Sequence, residues 1–458
     1  MKVDVLDEPL LEFGYGATHV EQRAGLAAHG PADIAMEGRC DTIKVGLIGS
    51  PQAIDDVERY LTTCAEGIPG KESELRSLFP DFPGCSSDIG FRADLVFPRD
   101  GKRAITSAAL QTIHDAVDDR DKITAAVEFC ANEVRDLCER SAVDVVVLAR
   151  PGGIPEGVGG QGRTGTNCHD LLKAAVIDVP QPIQVIREAT WRGGAGVEDP
   201  ATRAWNLFAA LFYKAGGKPW RLRTDRSELT RCFVGVSFAR LAGNDELFAS
   251  VAQVFNELGD GVIVRGAIAE RGEHDRQAHL SQDDAAALMT NSLEQYRLEH
   301  GNLPATLTLH KTSAFSPAER DGFLESAAAA PLTCDLVWLT TSDDAMLIRG
   351  AKQYPPLRGT LLSLGADEHV LYTHGSVPYY KTYPGLYVPR PLGLRPCAVE
   401  RPIDAIASEI LALTKLNWNR ARMEATWPIT LLTSRRVGEI LRHVPRDQPA
   451  ATRYAKYM

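Results

Sequence analysis

His169-Asp-Leu-Leu-Lys-Ala-Ala-Val-Ile177, Ile183-Gln-Val-Ile186 and Asn206-Leu-Phe-Ala-Ala-Leu-Phe-Tyr-Lys-Ala-Gly-Gly-Lys-Pro-Trp220 follow one another as helix, strand and helix. The second of these helices reads as Thr202–Ala215, and the same alternation runs outward in both directions. Upstream, Ile43–Ile48 is a short β-rich run, Gln52–Cys64 reads as the helix after it, and Ile123–Glu139 is a longer amphipathic helix. Val143–Leu148 is apolar except for Asp144, the mark of a strand buried on both faces. The first half therefore reads as an open parallel sheet with helices on it.

A Gly-, Pro- and Arg-rich break over Gly216–Arg231 follows, and then the alternation resumes. Cys232–Phe238, Val262–Val264 and Ala305–Leu309 read as strands, and Asp245–Leu258, Asp283–His300 and Pro317–Ala328 as helices. Leu336–Thr340, Gly359–Leu364 and Val370–Thr373 are further strands, and Ala405–Lys415 and Arg435–Arg442 are closing helices. The expectation is an α/β protein with an N-terminal extension over 1–40, one domain over 41–225 and a second over 226–458.

The 458 residues suffice for two or three packed units, with 44% hydrophobic and 24% charged residues as in ordinary globular proteins. No apolar run is long enough for a membrane span, and Met1–Leu11 lacks the basic start of a secretory signal, so a cytoplasmic setting is expected. The nine cysteines are scattered without a C-x-x-C pair and read as reduced, buried thiols. The net charge of −10 argues against nucleic acid only on average. Residues 1–135 hold 24 acids and 14 bases, so the whole excess lies there, while Lys415–Met458 carries a local +6 and Arg187–Arg231 a local +4. A phosphate meets the local field, not the sum.

Gly160, Gly162 and Gly165 spell G-x-G-x-x-G, which would support a nucleotide- or NAD-binding α/β enzyme. A dinucleotide site needs those glycines in the tight turn from strand to helix. Here about ten residues and two prolines separate them from the Val143–Leu148 strand, and a loop is the simpler account. A more specific constellation comes next. His169 and Lys173 lie four apart on one helix face, Gln184 lies in the following strand, and Lys214 ends the helix that carries Asn206. Two lysines, an imidazole and an amide at one end of a sheet make an anion pocket: cations for charge, the others for directed hydrogen bonds.

The order H-x-x-x-K, Gln in an apolar strand, then N-x(7)-K-x-G-G with Pro-Trp soon after resembles the MID domain of Argonaute proteins. That resemblance implies a Rossmann-like MID domain over 41–225 and a pocket for the 5′-phosphate of a guide strand. His169 takes the place of the residue stacked on the first guide base, and Lys173, Gln184 and Lys214 take the phosphate positions. Ala210 stands where many Argonautes have a further lysine. The resemblance then implies Mg²⁺ at the guide 5′ end, held with the phosphate by the C-terminal carboxylate of Met458. Phe233-Val-Gly-Val-Ser-Phe238, His310-Lys-Thr-Ser313, Leu413-Thr-Lys-Leu-Asn-Trp-Asn419, Pro428-Ile-Thr430 and Arg435-Arg-Val-Gly-Glu-Ile-Leu441 resemble an RNase H-like PIWI domain over 226–458. Asp7-Glu-Pro-Leu-Leu-Glu-Phe-Gly14 and His29-Gly-Pro31 resemble the start of short prokaryotic Argonautes, which have no N or PAZ domain.

Where cutting members of that family carry aspartates, this chain has Ser237, Thr312 and Thr433. Neutral hydroxyls do not replace anionic ligands to Mg²⁺, so the expectation is an inactive nuclease fold; an active slicing Argonaute with substituted ligands is the alternative. The resemblance further implies a guide RNA, a single-stranded target DNA, and an APAZ-domain effector partner that carries a TIR or sirtuin-like NADase or a nuclease and acts against plasmids or phage. Arg265, Lys311, Lys415, Arg420, Arg422, Arg435 and Arg436 are the candidate contacts to the nucleic-acid backbone.

Overall fold

The computed structural model describes residues 1–158, 166–223, 230–240, 247–254, 261–272, 277–341, 345–347, 355–385, 387–423, 425–445 and 447–458, with backbone alone at 166 and 247–254. The expected domain boundary near 225 and the glycines at 160, 162 and 165 lie outside the described residues.

The first sheet has Thr42–Gly49 at its centre. Val145–Ala149 pairs on one side of it, with Ile183–Ile186 beyond, and Asp94–Val96 and Lys102–Ala104 pair on the other; every pairing is parallel. The Val145–Ala149 strand is buried throughout, and its side chains alternate between two cores. Val145, Val147 and Ala149 meet the helices Pro51–Ala65 and Pro200–Lys214, while Val146 and Leu148 meet Asp119–Arg140 and Cys168–Ala175. A strand covered by helices on both faces needs a continuous apolar run, which is what its sequence supplies.

The second sheet has ten strands, in the order 2–5, 360–363, 369–371, 392–398, 333–341, 306–311, 231–240, 247–254, 263–271 and 278–279. Only the two pairings around Thr306–Lys311 are parallel. Helices Gln282–His300 and Pro317–Ala328 cover one face, with Leu288, Leu293 and Phe323 packed on Val234, Val236, Leu307 and Leu309. Helix Ile429–Leu441 crosses the other face so closely that a Cβ on Gly235 would stand 2.2 Å from the Thr430 carbonyl oxygen.

Three strands of the large sheet differ from the sequence reading. Leu247–Val254 is a strand and not part of a helix over 245–258. Its backbone is satisfied on both sides by Arg231–Arg240 and Ile263–Arg271, and pairing of this kind outweighs a modest local helix preference. Leu392–Ala398 is a strand hidden by its Gly393 and Pro396. Pro396 sits where the register with Leu336 and Val337 shifts, a position that does not demand its missing N–H. Lys2–Val5 forms one edge of the large sheet, antiparallel to Thr360–Ser363.

The N-terminal segment is thus woven into both halves: Leu11–Glu12 pairs with Arg221–Leu222, and Glu8 lies 3.0 Å from both Arg358 and Lys415. The two sheets also share one core. Trp205, Phe208, Phe212 and Trp220 from the first half pack with Phe233, Leu416, Trp418 and Val437 from the second. Trp220 donates its indole N–H to the Lys415 carbonyl at 3.0 Å, and Tyr213 stacks on Trp418 with centroids 4.2 Å apart. All nine cysteines are free, and burial pushes the Cys130 thiol up to about 12. Among the described residues no helix is long and apolar enough to cross a membrane.

Candidate anion-binding site

Helix Cys168–Ala175 begins where the Asn167 side-chain oxygen accepts the His169 N–H at 2.9 Å. Its first two turns point His169 and Lys173 toward the junction of the halves, to different depths. The His169 side chain keeps 33% of its exposure, whereas Lys173 is buried. Lys173 Nζ donates to the Ile183 carbonyl at 2.7 Å, to the Lys456 carbonyl at 3.3 Å and to the Met458 oxygen. One residue along the 183–186 strand, Gln184 Oε1 accepts from Lys214 Nζ at 2.6 Å. Lys214 closes the 200–214 helix and is buried as well.

A third cation arrives from the other half of the chain. Arg436, on the 429–441 helix, places its guanidinium 2.7 Å from Asp170 Oδ1, 2.6 Å from His169 Nδ1 and 2.9 Å from Glu439 Oε2. A guanidinium can only donate, so His169 Nδ1 accepts and its 3.1 Å approach to Asp170 is not a second donation. Consistent with a neutral ring, His169 is brought down to about 4, first by burial and further by Lys173 and Arg436, with Asp170 opposing.

The electrostatics of the cup are strained in one direction. Burial first, then Lys214 and Arg436, holds Lys173 well below the usual lysine range. Burial and then Arg436 bring Lys214 down to about 7. Two buried lysines depressed by a neighbouring guanidinium, with the Asp170 and Glu439 carboxylates both on that guanidinium, form a site that an entering anion would stabilise.

The chain's last residues close the cup. Tyr454, Tyr457 and Met458 are buried in the shared core, and Lys456 Nζ donates to the Ile177 carbonyl at 3.0 Å and to the Val179 carbonyl, just past the 168–175 helix. Among the described residues no group of three His, Cys, Asp or Glu side chains could hold a metal by itself. The Met458 and Gln184 oxygens are hard donors of the kind Mg²⁺ accepts when phosphate oxygens complete its shell, so the residues present fit that ion only together with a bound phosphate.

No protein-family model matches the sequence, and no curated protein matches it. Solved structures do match. Clostridium butyricum Argonaute bound to a guide DNA and a 19-mer target DNA is 16% identical, with a TM-score of 0.67 over 97% of this chain and 53% of that one. A. aeolicus Argonaute is 14% identical, with a TM-score of 0.61 over 98% of this chain and 54% of that one. Drosophila Piwi is 11% identical, with a TM-score of 0.63 over 99% and 56%. The fold is that of the Argonautes. This chain spans about half the length of the Argonaute structures it matches.

On this Argonaute fold the three hydroxyl positions lie around one face of the large sheet. Ser237 is buried on the strand that pairs Gly235 with His310, and its Oγ has no hydrogen-bond partner among the described residues. Thr312 follows the 306–311 strand, and its carbonyl accepts from the Trp338 indole at 3.3 Å. Thr433 turns its hydroxyl back onto its own helix, to the Ile429 and Thr430 carbonyls at 2.7 and 3.0 Å. The glycine motif itself lies outside the described residues, and only its flanks are placed. The strand ends at Ala149, the helix starts at Cys168, and Gly157–Val158 pairs antiparallel with Thr166–Asn167 between them.

The candidate backbone cations separate into groups. Lys311 and Lys415 are corrections, because both are buried in ion pairs and neither presents its charge at a surface. Lys311 Nζ lies 2.7 and 2.6 Å from the two oxygens of buried Glu319, and Lys415 lies 3.0 Å from Glu8. Arg265 is a correction too: it donates to the Leu441, Val444 and Pro445 carbonyls at 3.0 to 3.3 Å and so caps the end of the 429–441 helix. Arg420, Arg422 and Arg435 are exposed, with Arg422 paired to Glu198 and Arg435 5.9 Å above the Trp427 ring. Arg436 is in the cup itself. Asn206 is a junction residue, accepting the Ala421 N–H at 2.9 Å. Sequence reading missed Asp170, although it stands between His169 and Lys173, because an acid is not what an anion site calls for.

Proposed function

We propose that this chain holds the 5′-phosphate of a short guide strand in the cup of Lys173, Gln184, Lys214 and Arg436, pairs that guide with a complementary target, and does not cut it. The observation that carries this reading is that buried Lys173 and Lys214 and the partly exposed Arg436, from three helices and both halves of the chain, come near enough for their charges to act on one another. The Argonaute fold supports it, and the Clostridium butyricum neighbour is bound to guide and target DNA. In this reading residues 41–225 serve as the MID domain and 226–458 as the PIWI domain. The His169 ring, one-third exposed, offers a face for the first guide base. Exposed Arg420, Arg422 and Arg435 lie on the part of the chain that would meet the strand backbone.

Met458 would hold Mg²⁺ together with the guide phosphate, and the ion would supply positive charge there. The protein's own groups do the remaining work: Lys173 and Lys214 supply charge-assisted donors at a dry site, and Gln184 orients Lys214. Ser237, Thr312 and Thr433 offer no carboxylate to a pair of nuclease metals. A chain that binds without cutting must pass its signal on. The partner we infer is an APAZ-domain effector, a NADase or a nuclease, switched on in the cytoplasm when a guide RNA finds single-stranded DNA of a plasmid or phage.

Binding of otherwise identical RNAs with 5′-phosphate or 5′-hydroxyl ends tests the cup. A clear preference for phosphate that Lys214→Gln removes is expected, and equal affinity of the native protein for both ends would overturn the assignment. Incubation of the guide-loaded protein with a complementary target and Mg²⁺ or Mn²⁺ should leave the target whole; multiple turnovers of cleavage would refute the absence of slicing.

A further inference from the structure

Asp170 is out of character with an anion site. Its side chain is only 9% exposed, it sits in the first turn of the helix that carries Lys173, and it is ionised: burial works against its charge, but the Arg436 guanidinium beside it holds its carboxyl below the usual range. The two lysines of the cup are held by neutral oxygens of Ile183, Gln184 and the Lys456 backbone, together with the Met458 oxygen. Arg436 is the cup cation that a carboxylate from another helix grips, at 2.7 Å. Its second carboxylate, Glu439, is on its own helix and half exposed. A carboxylate with one oxygen on a guanidinium at this distance resembles one edge of a phosphate group.

We propose that Asp170 is a placeholder anion, which holds Arg436 in the guide-free protein and yields it to the guide 5′-phosphate. The inference rests on the guide-binding reading above and adds to it a source of selectivity. A terminal phosphate carries close to two negative charges near neutral pH, enough to displace a single carboxylate, whereas a 5′-hydroxyl end is uncharged and leaves the Asp170–Arg436 pair in place. The cost of breaking that pair is therefore charged only to ends that can repay it, and weaker anions are refused. Asp170 acts through Arg436, so it is a positioning residue.

The test measures the affinity of 5′-phosphate and 5′-hydroxyl RNAs for the native protein, Asp170→Asn, Asp170→Glu, Arg436→Gln and the double variant Asp170→Asn with Arg436→Gln. With the placeholder, Asp170→Asn tightens the 5′-phosphate guide by about tenfold and leaves the 5′-hydroxyl guide unchanged. Asp170→Glu behaves as the native protein, and the gain from Asp170→Asn vanishes once Arg436 is Gln, the coupling a double-mutant cycle reads. Unchanged 5′-hydroxyl binding also reports that each variant is folded. If Asp170→Asn weakens the 5′-phosphate guide, or leaves it unaltered, the placeholder is wrong while the cup stands. If the native protein shows no preference between the two ends, the cup itself is wrong and the placeholder falls with it.

Discussion

Lys214 has given up most of an ordinary lysine's hold on its proton. Burial comes first and Arg436 second, and together they bring it to about 7. The sign of the consequence follows from which state favours the ammonium. In the guide-free protein Lys214 turns neutral as pH rises through about 7. A phosphate beside it, already dianionic in this range, favours the charged form and raises the value in the complex. Binding therefore takes up a proton, and affinity for the 5′-phosphate guide should fall between pH 7 and 9, by up to about tenfold per pH unit. The 5′-hydroxyl guide should show no such slope. Titration of affinity against pH with both guides checks this, and parallel slopes would remove Lys214 from the phosphate contact. The lysines' burial also decides the form of a useful variant. A carboxylate in place of Lys173 would be enclosed by main-chain oxygens and one in place of Lys214 would face the Gln184 amide oxygen, so the neutral Lys214→Gln is the substitution that tests charge without threatening the fold. The presence of these lysines was legible in the sequence from their order and spacing; their depth was not, since burial is a property of what packs over a side chain.

At the scale of elements, the 429–441 helix connects the two sites. Its first turn lies on Gly235, Thr433 folds back onto it, and one turn further on Arg436 reaches the cup. Gly235→Ala should displace that first turn, since the added methyl meets the Thr430 backbone carbonyl at 2.2 Å and not a movable side chain. Loss of about 1–3 kcal/mol is expected from overpacking of this kind, read as a lower midpoint in urea, together with weaker 5′-phosphate binding through the displaced Arg436. An unchanged midpoint would show that the helix has room to move. Most elements were readable from apolar periodicity: Pro317–Ala328 and Ile183–Ile186 fall where the sequence puts them. The failures share a cause. Leu247–Val254 owes its strand to two neighbours, and Leu392–Ala398 survives a proline because it meets its partner at a register shift. Neither neighbour is written in the local pattern.

Across the whole molecule, Glu8 shows how the ends of the chain are tied together. It lies 3.0 Å from Arg358 and from Lys415, two cations whose side chains are wholly buried. Glu8→Ala would leave both without their shared counter-charge, at a cost of about 3–5 kcal/mol. Urea unfolding should show a loss of that order, and a change under about 1 kcal/mol would mean that the cations relax toward water. The same geometry explains why Lys415, read from the sequence as a contact to nucleic acid, is structural: a basic residue in a basic stretch looks available until its acid, some four hundred residues away in the chain, is found beside it. The sequence by itself determined the alternating α/β elements, the parallel character of the first half, the His169, Lys173, Gln184 and Lys214 set, and the lack of carboxylates at Ser237, Thr312 and Thr433. Those depend on residue type and short-range period, which the chain carries locally. Only the tertiary structure decided that Arg436 completes the cup, that Asp170 grips it, and that Lys311, Lys415 and Arg265 are spent inside the protein. Such pairings form between charges distant in sequence, and their energy depends on burial and on separations of a few ångströms that exist only once the two halves have packed.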